Sequence, residues 1–102
     1  MRPYALTYDA EIDLDEILDY LVTECGTRTA RYVLNRIRQE MLFLGRYPES
    51  GHVREDLTVR PLRFWSVVSY LVVYDPSKQP IEVIRVIHGN RDVTRLLGQD
   101  AE

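Results

Sequence analysis

A chain of 102 residues, 45% hydrophobic and 28% charged, is long enough to bury one core without disulfide or metal staples, and it reads as a single domain. Its formal net charge of −3 lacks the basic footprint of a general nucleic-acid binder, and no apolar run approaches the ~20 residues of a membrane span. No Cys/His spacing suits zinc and no glycine-rich loop suits a phosphate, so neither metal nor cofactor is expected.

Charge is unevenly spread. Residues 1–24 carry seven acids and the single base Arg2, while residues 25–102 carry twelve bases and nine acids. Twelve of the thirteen bases are arginine, the exception being Lys78, which suits planar, bidentate partners such as carboxylates. Met1 to Leu6 holds no apolar core of signal-peptide length. The lone Cys25 cannot close an internal disulfide, so a reducing cytoplasm is expected.

In chain order, Tyr4, Leu6 and Tyr8 alternate with Ala5 and Thr7, predicting a short strand over residues 3–8. Asp9 is the expected cap of a first helix with acids in its first turn. Leu14, Ile17, Leu18, Leu21, Val22 and Cys25 recur at helical spacing as its apolar stripe, and Gly26 stops it. Thr27 or Thr29 caps a second helix running to Leu44. Ala30, Val33, Leu34, Ile37, Met41 and Leu44 form its buried face, with Arg31, Asn35, Arg38 and Gln39 outward. Leu42, Phe43 and Tyr47 fall off that stripe; two-sided packing accounts for them, with an exposed apolar patch as the alternative.

Gly45 ends the second helix, residues 47–51 are turn chemistry, and residues 52–56 read as loop. Two strands follow over residues 59–65 and 67–75 around a tight connection near Ser66, the first pushed toward an edge by Pro61. Residues 75–80 form a hairpin loop. The strand Ile81-Glu82-Val83-Ile84-Arg85-Val86-Ile87-His88 is apolar on both faces and is therefore covered on both. Residues 93–98 make one helical turn. The predicted domain covers residues 1–98, with 99–102 a frayed tail. Strand, helical hairpin, then three hairpin-linked strands give an α+β fold of two layers, β-α-α-β-β-β, with a largely antiparallel sheet.

The candidate constellation is Arg60, Arg63, Arg85, His88 and Arg91, with Tyr70 and Tyr74 near them in register. Together on one sheet face they could hold phosphates or a carboxylate-rich peptide, and His88 could move a proton near neutral pH. The plainer reading pairs Arg63 and Arg85 with acids such as Asp56, Asp75 or Asp92. Tyr32, Phe43 and Tyr47 are the apolar candidates for a partner face.

Three segments resemble the RelE/ParE toxin superfamily of type II toxin–antitoxin modules, in order along almost the whole chain. They are Asp13-Leu14-Asp15-Glu16-Ile17 with Tyr20; Tyr47-Pro48-Glu49-Ser50-Gly51 with Arg54-Glu55-Asp56-Leu57; and Arg85-Val86-Ile87-His88-Gly89-Asn90-Arg91-Asp92. Leu62-Arg63 and Tyr70-Leu71-Val72-Val73-Tyr74 also fit the ParE branch of plasmid-stabilisation toxins. Val68 departs from it where a glycine is common. The resemblance implies a cytoplasmic toxin neutralised in a hetero-oligomer by a ParD-like ribbon-helix-helix antitoxin, whose apolar residues would lie on the helical hairpin and whose acids would approach Arg85 or Arg63. It also implies binding and poisoning of DNA gyrase rather than catalysis, with no sequence-specific nucleic-acid contact. The alternative is the RelE branch, a ribosome-dependent messenger-RNA endoribonuclease that would use Arg63, Arg85, His88 and Glu49. That branch usually carries a catalytic group after Arg91, and this sequence has no Tyr, His or Lys there. A non-toxic interaction domain is the third possibility.

Overall fold

Strand β1 (Tyr4–Leu6) ends at Thr7, which starts the first helix. The backbone of Thr7 is extended (φ −71°, ψ 165°), and its Oγ1 accepts a hydrogen bond from Ala10 N at 3.0 Å, satisfying one of the amides a helix leaves open at its start. The cap is thus Thr7 and not Asp9, which lies inside the first turn. In the computed structural model, which describes residues 3–89, 91 and 93–98, α1 spans Tyr8–Cys25 and α2 spans Thr27–Arg46. Gly26 alone joins them. At φ 89° it donates to Val22 O and accepts from Ala30 N, both at 3.1 Å, so one residue closes α1 and caps α2, the role expected of Thr27 or Thr29.

The buried stripe of α1 is Ala10, Asp13, Ile17 and Leu21. This corrects the expected stripe: Leu18 and Val22 are 42% and 41% exposed and Cys25 is exposed, because the helix is rotated to bring Asp13 over the sheet. The α2 stripe is as expected, with Ala30, Val33, Ile37, Met41 and Leu44 buried. Gly45 does not end α2. It lies within the helix where Pro3 crosses, and a Cβ there would fall 2.5 Å from Pro3 Cβ. Two-sided packing of α2 fails as well, since Leu42, Phe43 and Tyr47 are all exposed.

After a 3₁₀ turn (Pro48–Ser50) come β2 (His52–Val53), β3 (Arg63–Val67), β4 (Tyr70–Asp75), β5 (Ile81–His88) and α3 (Val93–Gly98). The sheet order is β1-β5-β4-β3-β2, with β1 parallel to β5 and the other pairs antiparallel. The β3–β4 connection falls at Val68 and Ser69, past Ser66. Val68 takes φ 57°, a left-handed conformation that costs a β-branched residue roughly 1–2 kcal/mol and that a glycine would adopt without strain. Two buried clusters sandwich the sheet. Val72, Tyr74, Val83 and Val86 meet the helical hairpin on one face; Leu62, Phe64, Val73, Ile84 and Ile87 meet Val93 and Leu97 of α3 on the other. The expected positions Asn90, Asp92 and 99–102 lie outside the described residues. Among the described residues no helix is long and apolar enough to cross a membrane.

Candidate functional site

Arg85 is the polar break in an apolar strand, and α1 supplies its partner. Val73 pairs with Arg85 and Tyr74 with Val83, so Ile84 is an extra residue that bulges β5 at this point. Asp13 Oδ2 accepts from Arg85 Nε at 2.7 Å and from Val86 N at 2.9 Å, while Oδ1 accepts from Arg85 Nη2 at 3.0 Å. Thr7 Oγ1 donates to Ile84 O at 2.8 Å. Beyond the three residues of β1, the start of α1 therefore serves the open edge of β5 with side chains. The ion pair is largely withdrawn from solvent, at 16% and 10% side-chain exposure.

Arg63 stands elsewhere. Its Nη1 donates to Gly51 O at 2.8 Å and Glu49 O at 3.3 Å, and its Nη2 to Glu49 Oε1 at 2.9 Å. It latches the turn before β2. Tyr74 pins the same turn from beneath, donating to Pro48 O at 2.6 Å and accepting from Gly51 N at 2.9 Å. The acids first considered for the arginines are engaged otherwise: Asp56 with Arg54 at 2.8 Å, which holds its carboxyl below the usual range, and Asp75 with Ser77. Arg60 lies in the bend before β3, with Nη1 buried and lacking a hydrogen-bond partner.

His88 and Arg91 do come together. With Tyr20, Tyr70 and Glu16 they line a hollow of about 300 Å³ at the end of β5. The Tyr70 ring meets His88 edge-on at 5.2 Å, and burial pushes the Tyr70 phenol up from its ordinary value. Arg63 lies opposite Tyr74, and His88 opposite Tyr70. Four residues of β4 separate those rows, about 13 Å at ~3.3 Å per residue. A general acid or base must stand within about 3 Å of its proton. Arg63 and Glu49 at one end, His88 at the other, and Arg85 tied to Asp13 do not converge on one phosphodiester. The single surface expected for Arg60, Arg63, Arg85, His88 and Arg91 is thus divided. Among the described residues no three His, Cys, Asp or Glu are grouped to hold a metal ion.

A concavity of about 700 Å³ runs between α1 and α2. Leu14, Leu18, Val22 and Leu34 give it an apolar floor, Glu11 and Asp15 stand on the α1 wall, and Arg31 and Arg38 on the α2 wall. A second hollow of about 390 Å³ shares Leu6, Leu14, Leu34 and Arg38 with it and extends it to Met41 and Leu42. The sequence reading missed this groove, having assigned Leu18 and Val22 to the core. The available signal was acids on one helix at i, i+4 and arginines on the next at i, i+7. Phe43 and Tyr47 join a separate aromatic cluster, 5.2 Å apart, with Phe43 5.6 Å from Trp65. Trp65 Nε1 donates to Glu40 at 2.7 Å, and His52 stacks on its ring. Tyr32 is apart from them, 59% exposed beside Arg36.

A family model described as the ParE toxin of the type II toxin-antitoxin system, parDE, matches residues 4–93. Toxin ParE3 of Caulobacter vibrioides is 31% identical over 88 residues, 85% of this chain and 86% of that one. Toxin ParE1 of the same organism is 29% identical over 98 residues, 96% of this chain and 100% of that one. A solved structure described as the chromosomal ParDE TA system from P. aeruginosa shares the fold, with TM-score 0.72, 21% identity, and 83% and 92% of the two chains covered. A helical hairpin on a mixed five-stranded sheet, matched this way, is the architecture of a small toxin of a toxin–antitoxin system. The chain belongs to the ParE family of type II toxins.

Proposed function

We propose that this toxin is neutralised by a ParD-like antitoxin segment seated in the α1–α2 groove, and that it acts by binding DNA gyrase. The observation that carries the antitoxin half is the groove: an apolar floor left open to solvent, with an acidic wall and a basic wall. An amphipathic helix fits such a trough, its apolar stripe down and its charges against the walls. The cations that meet its acids are Arg31 and Arg38. Arg85 and Arg63, first expected in that role, are engaged by Asp13 and Glu49. For the gyrase half, the family resemblance supports the target, and the dispersal of Arg63, Glu49, Arg85 and His88 weighs against messenger-RNA cleavage.

Leu18→Asp with Val22→Asp tests the groove, since both side chains are already exposed and charges there leave the core intact. Affinity for the antitoxin, measured by calorimetry, should fall at least tenfold, about 1.4 kcal/mol. Unchanged affinity in a folded double variant would move the antitoxin elsewhere.

A further inference from the structure

The walls of the α1–α2 groove carry opposite charges that do not meet. Glu11 and Asp15 stand on α1, Arg31 and Arg38 on α2, and all four are exposed. The ion pairs among the described residues are Arg54–Asp56, Arg63–Glu49 and Arg85–Asp13, and none of these crosses the groove. The gap between the walls is floored by leucine and valine, with Leu18 and Val22 about two-fifths exposed, at 42% and 41%. Whatever covers that floor must bring a basic edge to α1 and an acidic edge to α2.

This chain itself presents both edges. Because a one-residue joint at Gly26 folds α2 back along α1, the two walls run side by side, Val22 near Thr27 and Glu11 toward Arg38. A two-fold axis parallel to the helices, set between two facing hairpins, lays α1 of a second copy over α2 of the first and α2 over α1. Rotation about that axis leaves height along the helices unchanged. Glu11 of the second copy then arrives at the level of Arg38, and Asp15 between the levels of Arg31 and Arg38. The other face-to-face two-fold, perpendicular to the helices, lays α1 on α1 and sets acid against acid. Charge therefore selects one of the two arrangements, an isologous four-helix layer of the kind that packs at ~8–10 Å between axes.

We infer that the free toxin forms a two-fold dimer in which a second copy of this chain covers the α1–α2 groove, so that the dimer and the antitoxin-bound form exclude one another. The dimer stands on the groove alone; the exclusion also rests on the antitoxin reading above. A toxin that masks its own apolar groove has no exposed trough when the antitoxin is scarce, and the antitoxin must displace a copy to enter. Exposed wall charges are screened at a Debye length of about 8 Å near physiological salt, so the dimer weakens as salt rises.

Sedimentation velocity of the full chain tests this with paired charge reversals. The wild type should move to dimer over roughly 1–100 μM and dissociate several-fold more readily at high salt. Arg31→Glu with Arg38→Glu, and separately Glu11→Arg with Asp15→Arg, should each be monomeric alone, because both interfaces then set like against like. Mixed in equal amounts, the two variants should form a dimer, since each acidic wall again meets a basic one. Far-ultraviolet circular dichroism checks that both variants fold. A wild type that stays monomeric, variants that dimerise alone, or a mixture that stays monomeric would each overturn the dimer. Such a monomer that still binds antitoxin through Leu18 and Val22 leaves the antitoxin reading standing. A dimer that persists in a ternary complex with antitoxin overturns the exclusion alone.

Discussion

Asp13→Ala is expected to destabilise the protein by about 3–5 kcal/mol, the usual cost of removing one partner of a buried ion pair. The carboxylate accepts three hydrogen bonds, two from Arg85 and one from Val86 N. Its loss removes the carboxylate that takes two bonds from a guanidinium only 16% exposed and leaves a strand amide without an acceptor. Against the ~5–15 kcal/mol total of an ordinary domain, this is a large share, worth a fall in Tm of about 12 °C or more. Arg85→Met should cost a similar amount by leaving the Asp13 charge unpaired. Asp13→Leu combined with Arg85→Met should recover much of the loss, because two well-packed apolar groups replace two desolvated ions. The residue of that loss belongs to Val86 N, which no side chain then satisfies. Urea unfolding of the three variants separates these effects. Single variants within about 0.5 kcal/mol of wild type, the range of ordinary surface changes, would show that the pair contributes nothing.

Tyr74→Phe is expected to cost about 2–6 kcal/mol, since Pro48 O and Gly51 N would each lose their hydroxyl partner at ~1–3 kcal/mol apiece. The side chain is 0% exposed, so water does not replace the hydroxyl. Gly51→Ala strikes the same joint from the other side, placing a Cβ 2.5 Å from the Tyr74 hydroxyl. Burial raises the Tyr74 phenol above its ordinary value, with the Gly51 amide opposing the shift. The folded chain thus keeps this proton to higher pH than the unfolded chain does. The stability linked to it is fully present below the unfolded value of about 10 and is lost as pH rises through the folded value. Tyr74→Phe should flatten part of that alkaline loss, leaving the share of Tyr70, whose phenol is also raised. An alkaline limb of the same slope in wild type and variant would detach Tyr74 from it.

The periodic parts of this fold were legible in the sequence. The α2 stripe and the doubly covered β5 each follow from spacing alone, because local burial pattern and local conformation coincide there. The candidate site was less legible, for a geometric reason. Asp13 is one of seven acids before residue 25, and its partner lies 72 residues away. The clue was its place in the row Ala10, Asp13, Ile17, Leu21, an acid within an apolar stripe, as Arg85 is a base within an apolar strand. Each anomaly resolves the other. Taking Leu18 and Val22 as core rotated α1 away from its true setting, and that rotation hid both the pair and the groove. Gly45 illustrates the same limit: a glycine kept for close approach of Pro3 reads, without a structure, as a helix stop. Residues on strands of one sheet can also stand a full strand length apart, as Arg63 on β3 and His88 on β5 do across β4, and chain order does not show it.

On the proposed function, this toxin works by gripping a protein and not by cutting RNA. The most direct measurement adds purified toxin to DNA gyrase, relaxed plasmid and ATP and follows supercoiling and DNA cleavage. Supercoiling should cease, cleaved plasmid should accumulate on the enzyme, and stoichiometric antitoxin should restore activity. Undisturbed supercoiling with folded toxin in excess, together with codon-positioned cuts in messenger RNA after induction in cells, would contradict it.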